Sequence, residues 1–403
     1  MKNKPSVVMM GLGYIGLPTA ALIASRGLKV TGVDIRQGVV DTINKGEIHI
    51  VEPDLDGLVH KVVKEKFLKA SIAPVASDVY LIAVPTPFKG DYEPDLSYVA
   101  SAFRSIIPTL KKGALVILES TSPVGTTRKM EKLIFDERPE LKDNIYLAYC
   151  PERVLPGNII YELKHNDRAI GGIDEISTQK AIGFYKHFVV GTLHPTNAKT
   201  AEMVKLVENA SRDNQIAFAN ELSIICDKAD INVWDMIALA NKHPRVNILN
   251  PGTGVGGHCI AVDPWFIVSE FPNESPLIKK SREANNYKTE WVLEKIKNKA
   301  LAFKIKNSKD PVIACMGLAF KPNIDDLRES PALYVTETLE GQNFTILAVE
   351  PNLTTCENRV LTDYNEAINK ADIIVYLVSH SEFKNLETDP NKNILDFCGV
   401  LKM

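Results

Sequence analysis

Short, continuously apolar runs punctuate the first half of the chain, each closed by Gly, Pro or Asp. They are SVVMM at 6–10, KVTGVDI at 29–35, VYLIAVP at 79–85, ALVILEST at 114–121 and IYLAYCP at 145–151. Strands covered on both faces read this way, because helices on either side leave no polar face to alternate with. Amphipathic stretches lie between them, and that alternation predicts a doubly wound α/β sheet with parallel strands. The strand pattern then stops. Residues 199–229 form one long helical stretch for which Thr196 or Asn197 can supply the cap, and a second helical stretch lies near 276–303. After it the strand pattern returns as PVIACMGLAF, FTILAVEP and DIIVYLV. The expected architecture is therefore two Rossmann-like doubly wound domains joined by a long-helix central region. The boundaries expected are 1–196 for the larger N-terminal sheet domain, 197–303 for the helical region and 304–403 for the smaller sheet.

Composition adds limits. The 403 residues exceed what one hydrophobic core usually organises, and the formal net charge is −3. There is no global basic field for nucleic acid or an anionic membrane, so a phosphate-bearing ligand must be gripped locally. The six cysteines are scattered without CxxC or zinc-like spacing, as expected of thiols kept reduced. Lys2 and Lys4 ahead of the apolar stretch from Pro5 to Ala24 imitate a secretory leader, but three glycines and Pro18 interrupt it. No other stretch approaches the roughly 18 apolar residues of a membrane span, and the expectation is a cytoplasmic protein.

Two stretches carry candidate chemistry. Gly11-Leu12-Gly13-Tyr14-Ile15-Gly16 follows the first strand and opens a helix, and Asp34 closes the next strand about twenty residues on. In such a turn the first glycine permits the bend, the second admits a pyrophosphate and the third allows close helix packing, while the helix amides face the phosphates. A carboxylate at Asp34 suits the two ribose hydroxyls of NAD and repels the 2′-phosphate of NADP, although Arg36 lies near. Thr86 and the hydroxyls from Thr121 to Thr127 follow strand ends, where cofactors gather, and are either cofactor contacts or ordinary turn residues. The second stretch is Gly252-Thr253-Gly254-Val255-Gly256-Gly257-His258-Cys259, with four glycines in six residues. So much backbone freedom is costly to order and is retained where backbone must pass close to a ligand. It ends in a cysteine outside any apolar run, which marks Cys259 as a candidate nucleophile. Lys205, Asn209 and Arg212 share one face of the long helix by their spacing. They read as either a solvated stripe or an acid/base and oxyanion group. Glu152, just past a strand end, is a candidate for proton handling, and Asp263 for orienting a water.

Together these stretches resemble the UDP-glucose/UDP-N-acetylmannosamine 6-dehydrogenase family: GLGYIGLP, AVPTPF, ESTSPVGTT, YCPERVLPG, KLVEN, PGTGVGGHCIAVDPWF and FKPNIDDLRESP stand in the family's order along nearly the whole chain. EIHIVEPDL, ERVLPG and HPRVNIL are similar to the branch that acts on UDP-N-acetyl-D-mannosamine. The resemblance implies a four-electron oxidation of a UDP-sugar at C6 to a uronate, with two NAD consumed, a thioester on Cys259, and a role in making surface-polysaccharide precursors. It implies Lys205 as acid/base and, with Asn209, as stabiliser of oxygen charge. Arg153, Val154, Arg212, His243, Arg245, Gly256, Phe320 and Lys321 would bind the nucleotide sugar and Arg328 would reach the cofactor. It also implies a homodimer, with Arg245 serving a neighbouring subunit's site. The chain departs from the glucose branch at Pro156, where that branch has a glutamate, and at Ala261 and Val262, where it has a Pro-Lys pair, so roles resting on those residues do not transfer. Three alternatives stay open: UDP-N-acetyl-D-glucosamine as substrate, a simple two-electron hydroxyacid dehydrogenase, and a non-catalytic sensor. The last two would not need both Cys259 and Lys205.

Overall fold

The computed structural model describes residues 4–50, 52–90, 92–154, 157–356, 359–389 and 392–401. Its backbone divides into two units, residues 1–207 and 208–403.

The first unit is built on an eight-stranded sheet. Its strands are β1 (Val7–Met10), β2 (Val30–Val33), β3 (Leu68–Ser71), β4 (Val79–Ile82), β5 (Leu115–Leu118), β6 (Tyr146–Tyr149), β7 (Arg168–Gly172) and β8 (Leu193–Asn197). The order is β8-β7-β6-β5-β4-β1-β2-β3, and every pairing is parallel except that of β6 with β7. The order reverses between β1 and β4, so loops after those strands diverge and leave a crevice at their carboxyl ends, where nucleotides bind in sheets of this kind. The five continuous apolar runs are five of these strands. In β1, β2, β4 and β5 all four residues are buried, because helices cover both faces. One core forms under the helix Gly16–Ser25 around Met9, Leu17 and Leu81, and another on the opposite face around Val8, Tyr80 and Phe103.

The long helix spans Ala198–Lys228. Asn197 caps it, its Oδ1 accepting from the Thr200 amide at 3.0 Å, so of the two caps considered it is the asparagine that serves.

In the second unit the helix Pro276–Asn307 leads into a four-stranded parallel sheet. Its strands are β9 (Val312–Met316), β10 (Thr345–Val349), β11 (Ile373–Tyr376) and β12 (Asn393–Asp396), in the order β10-β9-β11-β12. The reversal here lies between β9 and β11. Val292, Ile296, Ile313, Val335 and Ile373 fill one face and Ala314, Met316, Ile374 and Tyr376 the other. Two sheets, the smaller wholly parallel and the larger parallel but for one pairing, with a long-helix region between them in the chain, are thus present. The short strands β3, β7, β8 and β12 were not anticipated from the apolar pattern. Among the described residues no helix is long and apolar enough to cross a membrane.

Candidate active site

The glycine turn has the geometry that a dinucleotide requires. Gly11 has φ +90°, and a Cβ there would lie 2.4 Å from the carbonyl oxygen of Ala83. A Cβ on Gly16 would lie 1.9 Å from the oxygen of Gly11, so both positions admit no side chain. Gly13 differs, because nothing lies within 4 Å of its Cβ position. That open side is where a pyrophosphate can approach the backbone. Tyr14 and Ile15 complete the turn, Tyr14 half-exposed. Asp34 closes β2; one carboxylate oxygen accepts from the Leu12 amide at 3.3 Å, and the other from the Arg36 amide at 3.0 Å and the Arg36 Nε at 3.2 Å. Burial alone would raise its pKa, but the Arg36 groups and the Leu12 amide outweigh it and hold the carboxyl below its ordinary value. The anion sits beside the crevice, and the residues fit NAD.

The threonines separate. Thr86 and Thr121 lie in loops after β4 and β5, both partly exposed. Thr127 is buried at the start of the helix Thr126–Glu137, and its hydroxyl and amide both bond Glu202 Oε1 at 2.7 Å. Glu202 also accepts from the Gly125 amide at 2.6 Å, so this carboxylate caps the helix from the side. What the structure records for Thr127 is a structural bond in place of a hydroxyl presented to a cofactor.

Glu152 is also engaged. Its carboxylate accepts from Arg168 at 2.9 Å and from the Arg153 amide at 2.7 Å, with Glu152 and Arg168 both buried. The pair belongs to a buried polar cluster at the ends of β5 and β6. There the Tyr185 hydroxyl donates to Glu119 at 2.6 Å, and burial followed by the Glu152 charge pushes the Glu119 carboxyl up to about 7. Arg153 reaches the carbonyl of Asp167, and Val154 follows it, partly buried. Glu52 joins two of the branch-like stretches by accepting from the Gly157 and Ile159 amides at 2.9 and 2.7 Å. Pro156 lies outside the described residues.

The cysteine loop is fastened along its length. Asn220 accepts from the Gly252 amide at 2.9 Å and is itself set by Asn285, which bonds the buried Asp213–Arg282 pair. The Thr253 hydroxyl donates to the Leu377 carbonyl at 2.7 Å, and the Gly257 amide to the Arg328 carbonyl at 3.0 Å. A Cβ on Gly256 would lie 2.4 Å from the Glu329 oxygen, and one on Gly257 2.8 Å from the Phe320 ring, which explains why glycines fill this stretch. Past the loop, the Cys259 carbonyl accepts from the Val262 and Asp263 amides and so starts the turn into the helix Asp263–Glu270. Asn209 donates to Asp263 at 2.5 Å, which brings two of the candidate catalytic residues into contact. Cys259 is partly exposed, and no disulfide involves any of the six cysteines among the described residues. Cys150 and Cys315 lie in the interior, where burial drives their thiols up to about 11 and about 12.

The remaining candidates surround these loops unevenly. Lys205 is partly buried on the long helix, and Arg212 is exposed. His243 and Arg245 stand in an exposed turn, the Arg245 amide donating to His243 Nδ1 at 3.3 Å. Phe320 packs on the glycine loop and Lys321 is exposed. Arg328 grips Asp326 with Nε at 2.9 Å and a terminal nitrogen at 2.6 Å. Ala261 and Val262 are buried under the turn. Among the described residues no cluster of three or more His, Cys, Asp or Glu could hold a metal ion.

A dinucleotide turn that prefers NAD, together with a thiol on a fastened loop, defines an NAD-dependent oxidoreductase. Three family models match in series: the NAD binding domain over residues 5–189, the central domain over 199–287 and the UDP binding domain over 314–403. The chain belongs to the UDP-glucose/GDP-mannose dehydrogenase family. It is 55% identical to a UDP-N-acetyl-D-mannosamine dehydrogenase of Campylobacter jejuni, across 99% of this chain and 100% of that protein. It is 51% identical to an NDP-N-acetyl-D-galactosaminuronic acid dehydrogenase of Ralstonia nicotianae (strain ATCC BAA-1114 / GMI1000), across 98% and 96%. Among solved structures, a UDP-N-acetyl-mannosamine dehydrogenase from S. aureus superposes with a TM-score of 0.89 at 42% identity, covering 99% of this chain and 96% of that one.

Proposed function

We propose that this enzyme oxidises C6 of UDP-N-acetyl-D-mannosamine to the carboxylate in two NAD-dependent steps, through a covalent bond to Cys259. The observation that carries the reading is the loop itself, tied at Gly252, Thr253, Gly257 and Asp263 so that the backbone on both sides of Cys259 is held, with Phe320 packed on its glycines. NAD, when bound by Gly11, Gly13, Gly16 and Asp34 with Tyr14, Ile15, Thr86 and Thr121 near it, accepts the hydride of each oxidation. Lys205 takes the alcohol proton as the C6 aldehyde forms. The Cys259 thiolate adds to the aldehyde carbon, and Asn209 and Lys205 donate to the new oxyanion. Loss of the second hydride leaves an acyl–sulfur bond. Water, oriented by Asp263 or deprotonated by Glu152, then cleaves that bond, releasing the uronate and restoring the thiol.

In the same reading residues 1–196 hold NAD, 304–403 the UDP moiety, and 197–303 the nucleophile loop and a homodimer contact, in a cytoplasmic enzyme. Arg153, Val154, Arg212, His243, Arg245, Phe320 and Lys321 grip the nucleotide sugar, and Arg328 reaches the cofactor. A second reading, an N-acetyl sugar of different ring configuration, is favoured by the 51% identity to the galactosaminuronic acid enzyme and includes the gluco epimer.

The test is NADH yield per sugar with each purified UDP-N-acetylhexosamine. Two NADH with the manno sugar supports the reading, and one NADH with a free aldehyde contradicts it. Cys259→Ala should lower uronate formation by at least about a thousandfold while NAD affinity stays within about twofold.

A further inference from the structure

Beyond the sulfur and its helix, one buried histidine ties together the two loops that the chemistry must bring into register. The segment Leu377–Ser381 leaves the end of β11. Its first carbonyl, Leu377, holds the cysteine loop through the Thr253 hydroxyl at 2.7 Å. Three residues later His380, wholly buried, meets the loop that carries Phe320 and Lys321. The Asn323 amide donates to His380 Nδ1 at 3.0 Å, and the Asn352 side-chain amide lies 2.9 Å from the same nitrogen. The next residue closes the clasp, the Ser381 amide donating to Asn323 Oδ1 at 2.9 Å. Asn323 is held at φ +60°, a left-handed conformation that needs such anchoring.

These contacts decide the state of the ring. A backbone N–H can only donate, so Nδ1 must offer a lone pair and the proton must sit on Nε2. Nε2 faces Glu350 Oε2 at 3.1 Å. That oxygen also accepts the Leu318 and Ala319 amides at 2.8 and 2.9 Å, where the same loop begins. The ring's other close neighbour is Phe383, edge-on at 5.3 Å between centroids. A single imidazole therefore bonds the end of the Leu318–Asn323 loop directly and its start through Glu350, while the Phe320 between them presses on Gly257 of the cysteine loop.

We propose that His380 is a positioning residue for the oxidation: neutral and protonated at Nε2, it sets the register of the Phe320–Lys321 loop against the Cys259 loop. The inference rests on the proposed roles of Cys259, Phe320 and Lys321. Two substitutions separate the ring's two bonds in the full-length enzyme. His380→Asn keeps an acceptor where Nδ1 faces Asn323, and His380→Gln keeps only a group that reaches Glu350. Loss of one buried hydrogen bond at a binding loop predicts about a tenfold effect. His380→Gln should raise KM for UDP-N-acetyl-D-mannosamine and weaken calorimetric UDP binding about tenfold, with kcat falling less. His380→Asn should stay within about threefold of the parent on both. Equal losses in the two variants, or a lowered melting temperature with unchanged KM and UDP affinity, would overturn the proposal. If the glutamine variant does not fold, Thr253→Val cuts the other half of the clasp. A fall in kcat of about tenfold then supports the role, and unchanged kcat and KM overturn it. Failure of the parent enzyme to turn over any UDP-sugar would sink the functional reading instead, and UDP affinity in the variants would still decide the role of His380.

Discussion

The two sheets contain the same device in different states. In each, a glycine with positive φ ends the first strand: Gly11 at +90° after β1 and Gly317 at +94° after β9. In each, an acidic residue ends the neighbouring strand and accepts amides from the glycine turn: Asp34 from Leu12, Glu350 from Leu318 and Ala319. Around Asp34 the other partner is the largely exposed side chain of Arg36, which a ribose can displace. Around Glu350 the partners are His380 and Asn352, with His380 and Glu350 both buried, so the carboxylate is sealed. One scaffold thus yields a carboxylate covered by an exposed side chain, open to exchange for a ligand, and one enclosed by buried partners that fixes a loop. What surrounds the acid decides the use.

Three measurements break or sharpen this contrast. All three tryptophans (234, 265 and 291) lie in residues 208–403, so their fluorescence follows the second unit alone. Glu350→Ala strands several buried donors and should destabilise that unit by about 3–5 kcal/mol in urea unfolding. A loss under about 1 kcal/mol would mean that the site is not sealed. The next effect is acid sensitivity. Burial works against the Glu350 charge, but His380 and the Leu318 amide outweigh it and bring the carboxyl down to about 2 from 4.5. The unfolded chain then binds the proton more readily, so the stabilisation is full above about pH 4.5 and is lost as pH falls toward 2. It amounts to at most about 3 kcal/mol, since a neutral His380 supplies a hydrogen bond and no charge, and should vanish from the pH dependence in Glu350→Gln. The smallest effect is expected at the open site. Asp34→Gly should leave tryptophan-monitored unfolding unchanged, raise KM for NAD about tenfold and improve relative use of NADP, because Arg36 is released toward a 2′-phosphate. An unchanged NAD-to-NADP ratio would show that Asp34 does not read the ribose.

The legible part of this molecule was the part governed by local rules. Uninterrupted apolar runs announced β1, β2, β4, β5 and β6 and later β9 to β11, and the glycine motifs announced both loops. LKAS, LHPTN and NILD gave no such signal, because they are polar or proline-bearing and lie at sheet edges where burial is partial, while RAIGG is largely buried but carries an arginine and two glycines in place of an apolar run. The buried charges were equally silent. Arg168, Glu202 and His380 look like surface residues in a linear reading, and the partners that make burial tolerable stand 16, 75 and 30 positions away. The bond of Thr127 was hidden for the same reason, since only the fold reveals that Glu202 takes its hydroxyl. The glycines around Cys259 were read as a sign of close approach to a ligand, and the close neighbours in the structure are the chain's own residues. The neighbours that forbid side chains there include Thr289, Phe320 and Glu329, all more than thirty residues on.

The three glycines of the first turn look alike in a motif, yet genetics should sort them into two kinds. A side chain at position 11 or 16 collides with backbone, so such alleles would be cleared by cellular quality control and leave no protein to detect. A side chain at position 13 meets only open space, so that allele would accumulate as a stable, inert polypeptide.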